Sequence, residues 1–248
     1  MLSIPVIESP DGPNSLRLYN FALLVLALVL AGCMESVTPV ILRCPDTPII
    51  HHGDATFYNA TGAGACMFDS SKTDLLVGAM NPFDYDGSQI CGASVEVTGP
   101  KGTVVIRIVD LCPECGEGDI DLSPQAFSQI ADTSLGRVPI TWFVMAANVT
   151  GPILYHFMQA SSRYWTAVQI RNSRYPIYSI EYLSPSGGWR NISRAEYNYF
   201  IVADGLGPGP YGFRATDIYG HVLTDSSVAL TPGGDVPGQA QFPFCGQP

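Results

Sequence analysis

Glycine and proline punctuate this chain from end to end, 25 and 20 of them among 248 residues. Beyond one apolar run near the N-terminus, the segments between these breakers are short, which favours strands over helices. A hydrophobic content of 46% with only 14% charged residues is that of a packed chain, not a disordered one. The length admits one large domain or two of ordinary size. The expectation is therefore a β-rich fold, and the sequence carries no internal repeat. A net charge of −10 and the lack of a basic stripe argue against a nucleic-acid partner. The same charge disfavours capture of an acidic polysaccharide and suits a neutral polymer better.

Residues 21–32 form an unbroken apolar run, shorter than the roughly 20 residues a spanning helix needs. It reads as a secretory h-region ending in Leu30-Ala31-Gly32-Cys33, a pattern similar to the bacterial lipobox. Residues 1–33 are thus expected to be a signal segment, with Cys33 lipidated; a plain cleaved signal with an incidental cysteine is the alternative. Glu8 and Asp11 oppose the single Arg17, so an ordinary positive n-region would begin near Leu16. Residues 34–51, with Pro39, Pro45 and Pro48, read as a tether, and His51-His52 as a solvated pair at its end rather than a metal site. The product is expected outside the cell, with any membrane attachment made through a lipid anchor at the bacterial outer membrane.

Seven cysteines are an odd number for an exported chain. Setting Cys33 aside leaves Cys44, Cys66, Cys91, Cys112, Cys115 and Cys245 for three disulfides, with every pairing open. Cys112 and Cys115 could be half of a zinc site, but no second pair follows at ligand spacing. A redox motif would sit at a helix start in a βαβ unit, which is absent. No metal and no cofactor are expected.

Residues 94–97 and 103–109, joined by the turn 98–102, read as a hairpin. Ser123 followed by Pro124 caps a short helix over 125–131, Gly136 breaks it, and a strand returns over 140–146. Gly151-Pro152 marks a boundary between domains 52–150 and 151–248. Beyond it, alternating apolar runs at 153–158, 165–170, 177–183, 197–202, 211–215 and 221–223 read as a β-sandwich. Trp142 and Trp189 are expected in the cores. The densest chemistry lies between the halves of the first domain. Asp110 ends an apolar run and Asp121 follows eleven positions later, around the loop Cys112-Pro113-Glu114-Cys115. Two carboxylates converging on one cleft are the equipment for acid–base work on a sugar polymer.

The order and spacing of several motifs resemble the microbial expansins, two-domain wall-loosening proteins. In the first half these are Gly53-Asp54-Ala55-Thr56-Phe57-Tyr58, Ala79-Met80-Asn81-Pro82, Cys91-Gly92-Ala93-Ser94 and the block 110–127. In the second they are Ser161-Ser162-Arg163-Tyr164-Trp165, Gln169-Ile170-Arg171-Asn172, Tyr175-Pro176, Asp217-Ile218-Tyr219-Gly220 and Gln241-Phe242-Pro243. The resemblance implies an all-β architecture: a six-stranded double-psi β-barrel followed by an immunoglobulin-like β-sandwich acting as a cellulose-binding domain.

It also implies roles. Asp121 matches the general acid of the related family-45 glycoside hydrolases, while Asp110 and Thr56 line the groove. An inverting hydrolase needs a second carboxylate as base, which those enzymes carry on the first strand. Here that strand reads Ala55-Thr56-Phe57-Tyr58, leaving only Asp54 or Glu114 as displaced candidates. The residues alone also allow Asp121 to be a helix-terminal carboxylate stabilised by the helix dipole. Tyr164, Trp165 and Tyr197 match the family's row of binding aromatics, whose flat rings stack on glucose units; aromatics at strand positions are otherwise usually core. Many bacterial relatives carry tyrosine where this chain has Cys112, and some a lysine where it has Met158. The resemblance further suggests Cys44 with Cys245 as a tie between the two ends, and leaves the partner of Cys91 open.

The expectation is a monomeric, non-hydrolytic protein that binds cellulose, with matrix glucan or xyloglucan as further partners, and loosens plant-type walls. Three rivals stand beside it: a family-45-like endoglucanase, a peptidoglycan lytic transglycosylase of the rare-lipoprotein-A type, and a non-catalytic carbohydrate adhesin. The sequons at Asn59, Asn148 and Asn191 would matter only in a eukaryotic secretory route.

Overall fold

The computed structural model describes residues 43–245; the signal segment 1–33, Cys33 and tether residues 34–42 lie outside the described residues. Six strands close into a barrel: β1 (His51–Phe57), β2 (Val77–Met80), β3 (Ser94–Gly99), β4 (Gly102–Leu111), β5 (Ile120–Leu122) and β6 (Val138–Met145). Their order around the barrel is β1-β5-β2-β4-β3-β6, with β1–β5 and β2–β4 parallel and the other pairs antiparallel. Closure leaves no free edge. The expected hairpin is β3–β4, and its alternation sends Val95, Val97, Val104, Ile106 and Ile108 inward.

Two short helices plug the barrel's surroundings. Asn81 caps α1 (Pro82–Tyr85) by accepting from Phe83 and Asp84 N–H; Ser123 caps α2 (Pro124–Ile130) by accepting from Ala126 N–H. The helix α2 buries Ala126, Phe127 and Ile130 against a core that includes Met80, Ile120, Leu122 and Trp142. Burial of each large apolar side chain is worth about 1.5–3 kcal/mol relative to exposure, so this core holds β2, β5 and the helix after β5 in place.

The second half holds β7 (Leu154–Phe157), β8 (Thr166–Arg171), β9 (Ile177–Leu183), β10 (Trp189–Arg194), β11 (Phe200–Val202), β12 (Tyr211–Asp217), β13 (Val222–Val228) and β14 (Asp235–Pro237). They run in the order β13-β12-β9-β10-β11-β8-β7-β14. The strand β10 changes partner midway: Trp189–Ile192 pair with β9, and Ser193 and Arg194 with β11. The sheet thereby folds over on itself, and Tyr155 of β7 stacks on Phe213 of β12, ring centroids 5.2 Å apart. Tyr155, Phe157, Phe200, Phe213 and Phe242 fill the space between the layers.

Several expectations change. His51 and His52 belong to β1, not to a tether: His51 stacks on Trp142 at 4.0 Å and reaches Asp84 at 3.4 Å. Trp142 is core, but Trp189 is half-exposed beside the β9–β10 turn, with Arg214 4.9 Å above its ring. An arginine plane covers that ring better than the core could accommodate it. The expected strand 197–202 shortens to Phe200–Val202, because Ala195 to Tyr199 forms a turn with Asn198 at φ +64°.

Three disulfides close: Cys44–Cys245, Cys66–Cys91 and Cys112–Cys115. Barrel and sandwich meet through a buried polar knot. Gln169, fully buried, donates to the carbonyls of Cys66 (3.0 Å) and Asn198 (3.5 Å) and accepts from Arg171 Nε (2.8 Å), whose Nη1 reaches Asp69 at 2.6 Å. Nearby, Tyr85 Oη donates to the Glu196 carbonyl (2.9 Å) and Ser88 Oγ to that of Ala195 (2.9 Å). Among the described residues no helix is long and apolar enough to cross a membrane.

Candidate functional site: a carboxylate groove beside an aromatic face

Parallel pairing of β1 and β5 sets Thr56 directly opposite Asp121. The Thr56 hydroxyl donates to Asp121 Oδ1 at 2.5 Å. Asp121 alternates with the buried Ile120 and Leu122, so its carboxylate is held on the outer, groove side of a strand whose other face is core. Burial pushes its pKa above the ordinary carboxylate value. The Thr56 hydrogen bond and the Arg137 charge oppose that rise, while the Glu114 and Asp110 charges add to it.

Asp110 is the penultimate residue of β4, at a register shift where β2 and β4 pair. Its Oδ1 accepts two backbone donors, Ala65 N–H at 2.7 Å and Leu111 N–H at 2.9 Å. Gly64 makes this possible: a Cβ there would lie 2.3 Å from Asp110 Cγ. Cys66, which follows Ala65, is bonded to Cys91 and offers its carbonyl to Gln169. The loop that fixes the Asp110 carboxylate is thus also the barrel's docking point for the sandwich.

Tyr58, two residues beyond Thr56 on the same side of the chain, has a buried hydroxyl with no hydrogen-bond partner. Burial first, then the Asp110 and Asp121 charges, push its pKa far up. Tyr85 is likewise raised to about 12, by burial and by Asp110. Both phenols therefore stay protonated donors at any physiological pH.

The groove's other carboxylates are engaged or displaced. Asp54 reaches Arg137 at 3.3 Å, and the same guanidinium reaches Asp119 at 3.3 Å. Asp119 in turn accepts Asp54 N–H (2.7 Å) and Gly116 N–H (3.2 Å). Glu114 sits in the loop closed by Cys112–Cys115, where its charge is felt by Asp121.

The three aromatics are surface residues, not core. Tyr164 is 72% exposed with Arg163 5.2 Å from its ring, Tyr197 is exposed, and Trp165 is half-buried. Tyr164 and Trp165 precede β8, whereas Tyr197 precedes β11, which runs antiparallel to it. They therefore stand at opposite ends of that ladder, with Tyr197 at the barrel side, next to the Glu196 carbonyl bound by Tyr85.

Tyr58, Gly64, Tyr85 and Arg137 are site residues that sequence reasoning alone did not single out. A tyrosine two residues after Thr56 shares its face by strand period and could have been found. The others depend on loop contacts that no periodicity encodes.

Comparison with known proteins agrees with this arrangement. A family model described as lytic transglycolase matches residues 50–142, the barrel. The chain is 39% identical over 205 residues to Expansin-YoaJ of Bacillus subtilis (strain 168), covering 78% of this chain and 87% of that one. It is 26% identical over 218 residues to Expansin-like protein 1 of Dictyostelium discoideum, covering 82% and 75%. A mutant Clavibacter michiganensis expansin solved in complex with cellohexaose superposes with a TM-score of 0.73 at 28% identity, covering 78% of this chain and 98% of that one. With both halves of the fold and most of its length shared with such relatives, the chain belongs to the expansin family.

Proposed function

We propose that this protein binds an extended neutral glucan, cellulose above all, and loosens wall polymers outside the cell without cutting them. The aromatic face formed by Tyr164, Trp165 and Tyr197 holds one stretch of chain by ring stacking. The groove formed by Thr56, Asp110 and Asp121 grips an adjoining one. The cellohexaose complex of the Clavibacter relative supports a glucan of this type as ligand. The observation that carries the non-hydrolytic reading is the state of Asp54. Inverting hydrolysis needs a free base facing the acid, and the carboxylate nearest to Asp121 on β1 is tied to Arg137.

Two readouts on one sample test this: extension of heat-killed plant wall under load, and soluble reducing sugar. Extension without sugar, abolished by Asp121→Asn, is the expected result. Sugar release that disappears in the same variant would overturn it in favour of an endoglucanase, with Glu114 as the first base to examine. Peptidoglycan lytic transglycosylation is the second reading. It is favoured by the family model matched over residues 50–142 and by the raised pKa of Asp121, since such chemistry needs a single acid. Release of anhydro-sugar ends from peptidoglycan would establish it.

A further inference from the structure

The Cys44–Cys245 disulfide lies beside a histidine that the proposed glucan-binding residues do not include. His221 Nε2 is 3.6 Å from Cys44 Sγ, and the same imidazole is within 4.8 Å of Cys245 Sγ. The other ring nitrogen, Nδ1, is 2.8 Å from Asp217 Oδ2. Asp217 is fully buried, and its second oxygen accepts the N–H groups of Tyr219 (2.9 Å) and His221 (3.0 Å). The carboxylate cannot rotate away, so the Nδ1–H is held on Asp217 and Nε2 faces sulfur, able to hand over a proton when the ring carries a second one. Both cysteines are half-exposed, which leaves the bond open to attack from solvent.

We infer that Cys44–Cys245 is a thiol–disulfide exchange site in which His221, oriented by Asp217, serves the Cys44 sulfur as acid. An external thiolate attacks Cys245 Sγ, and its electron pair forms the new S–S bond. The Cys44–Cys245 bond breaks, its electrons leave on Cys44, and the Nε2 proton of the imidazolium passes to that sulfur. The incoming sulfur is oxidised and Cys44 reduced. The direction follows from leaving-group chemistry: the thiol whose anion is better stabilised leaves faster, and a ring nitrogen set beside its sulfur and backed by a carboxylate favours departure on Cys44. The thiol ends up on Cys245. The exchange severs the link that holds residue 44 to the C-terminal segment. Residues 43–49 then lose the anchor that keeps them against Val144 of the barrel and Ile218 and Tyr219 of the sandwich, around a cavity of about 320 Å³.

The test uses the intact oxidised protein, reduced glutathione at graded concentration, acid quenching and peptide mass mapping over time. Glutathione is expected on Cys245, with Cys44 free. His221→Gln should slow opening of Cys44–Cys245 by about tenfold or more and leave opening of Cys112–Cys115 in the same molecules unchanged. Glutathione found on Cys44 would overturn the inference, and that measurement needs no variant. An unchanged rate in a folded His221→Gln protein would overturn it too.

Discussion

Thr56 and Asp121 are register partners across the parallel β1–β5 pair, joined by a 2.5 Å hydrogen bond from the threonine hydroxyl to the carboxylate. Backbone pairing, rather than a flexible loop, thus sets the position of the Asp121 carboxylate. The bond favours the ionised form while burial favours the neutral one, and burial dominates.

That balance makes Asp121 a cost to stability at neutral pH. Its folded pKa lies above the unfolded value, so the folded state holds the proton more tightly. The associated stabilisation is fully present below the unfolded value of about 3.9 and is lost as pH rises through the folded one. Asp121→Asn keeps an acceptor for Thr56 and removes the buried charge. It should raise Tm at neutral pH, with the gain vanishing below about pH 4. Thermal melts across this range decide it; a variant that melts lower at neutral pH would show that the carboxylate is held by partners stronger than those described. Thr56→Val should move the Asp121 titration further up, readable from its carboxyl carbon by NMR.

Gly64→Ala should break the other carboxylate's seat. The new Cβ would overlap Asp110 Cβ, Cγ and Oδ1 at 2.3–2.6 Å, and the side chain would have to leave the Ala65 and Leu111 N–H groups. Overpacking of this kind costs about 1–3 kcal/mol, and the lost charge-assisted bonds add to it. Denaturant unfolding gives the loss, and the amide shift of Ala65 reports whether Asp110 has moved. A neutral variant with that shift unchanged would mean that the loop gives way instead.

Truncating the aromatic face should weaken glucan binding in steps. Stacking of this type is worth about 0.5–1.5 kcal/mol per ring, so Tyr164→Ala, Trp165→Ala and Tyr197→Ala should each weaken cellulose binding by roughly two- to tenfold. Because the contacts are uncharged, binding should persist at about 1 M salt, where the screening length is only about 3 Å. Pull-down on crystalline cellulose at low and high salt checks both points; loss of binding in salt would point to Arg163 rather than the rings.

Much of this fold was legible wherever alternation met turns. The β3–β4 hairpin, the Ser123-Pro124 cap and most sandwich strands follow from local pattern, because period-two burial is a property of the strand itself. Closure of the barrel was not legible, since β2 and β5 are only four and three residues long, too short for a period to register. It came from the family resemblance. Cys66–Cys91 was likewise invisible, because the pairing depends on a loop folding back over Val109. Trp189 was misplaced for a related reason: a tryptophan reads as core until an arginine on a neighbouring strand covers it. Among the candidate site residues, Asp121 and Thr56 are brought into one hydrogen bond, while Asp110 is held apart by its own loop.

The joint between the two halves is the place where a single polar residue matters most. Gln169 has no exposed surface, and its amide satisfies the Cys66 carbonyl of the barrel while its carbonyl accepts from Arg171. Gln169→Leu keeps the volume and removes both partnerships, leaving the Cys66 carbonyl with only the longer Asn198 Nδ2 contact at 3.5 Å and the Arg171 Nε–H without its acceptor. An unsatisfied buried group costs about 1–3 kcal/mol, and with one group stripped and the other weakened the variant should lose on the order of 1–3 kcal/mol. The loss falls on the contact between barrel and sandwich and not on either core. Calorimetry should therefore show the single unfolding transition split or broadened, with each half still cooperative. In the wall-extension assay the variant should lose activity while the cellulose binding proposed for the aromatic face of the sandwich survives. A variant that unfolds in one sharp step at the original temperature would show that Arg194 and Ser88, joined at 3.2 Å, hold the halves together without Gln169.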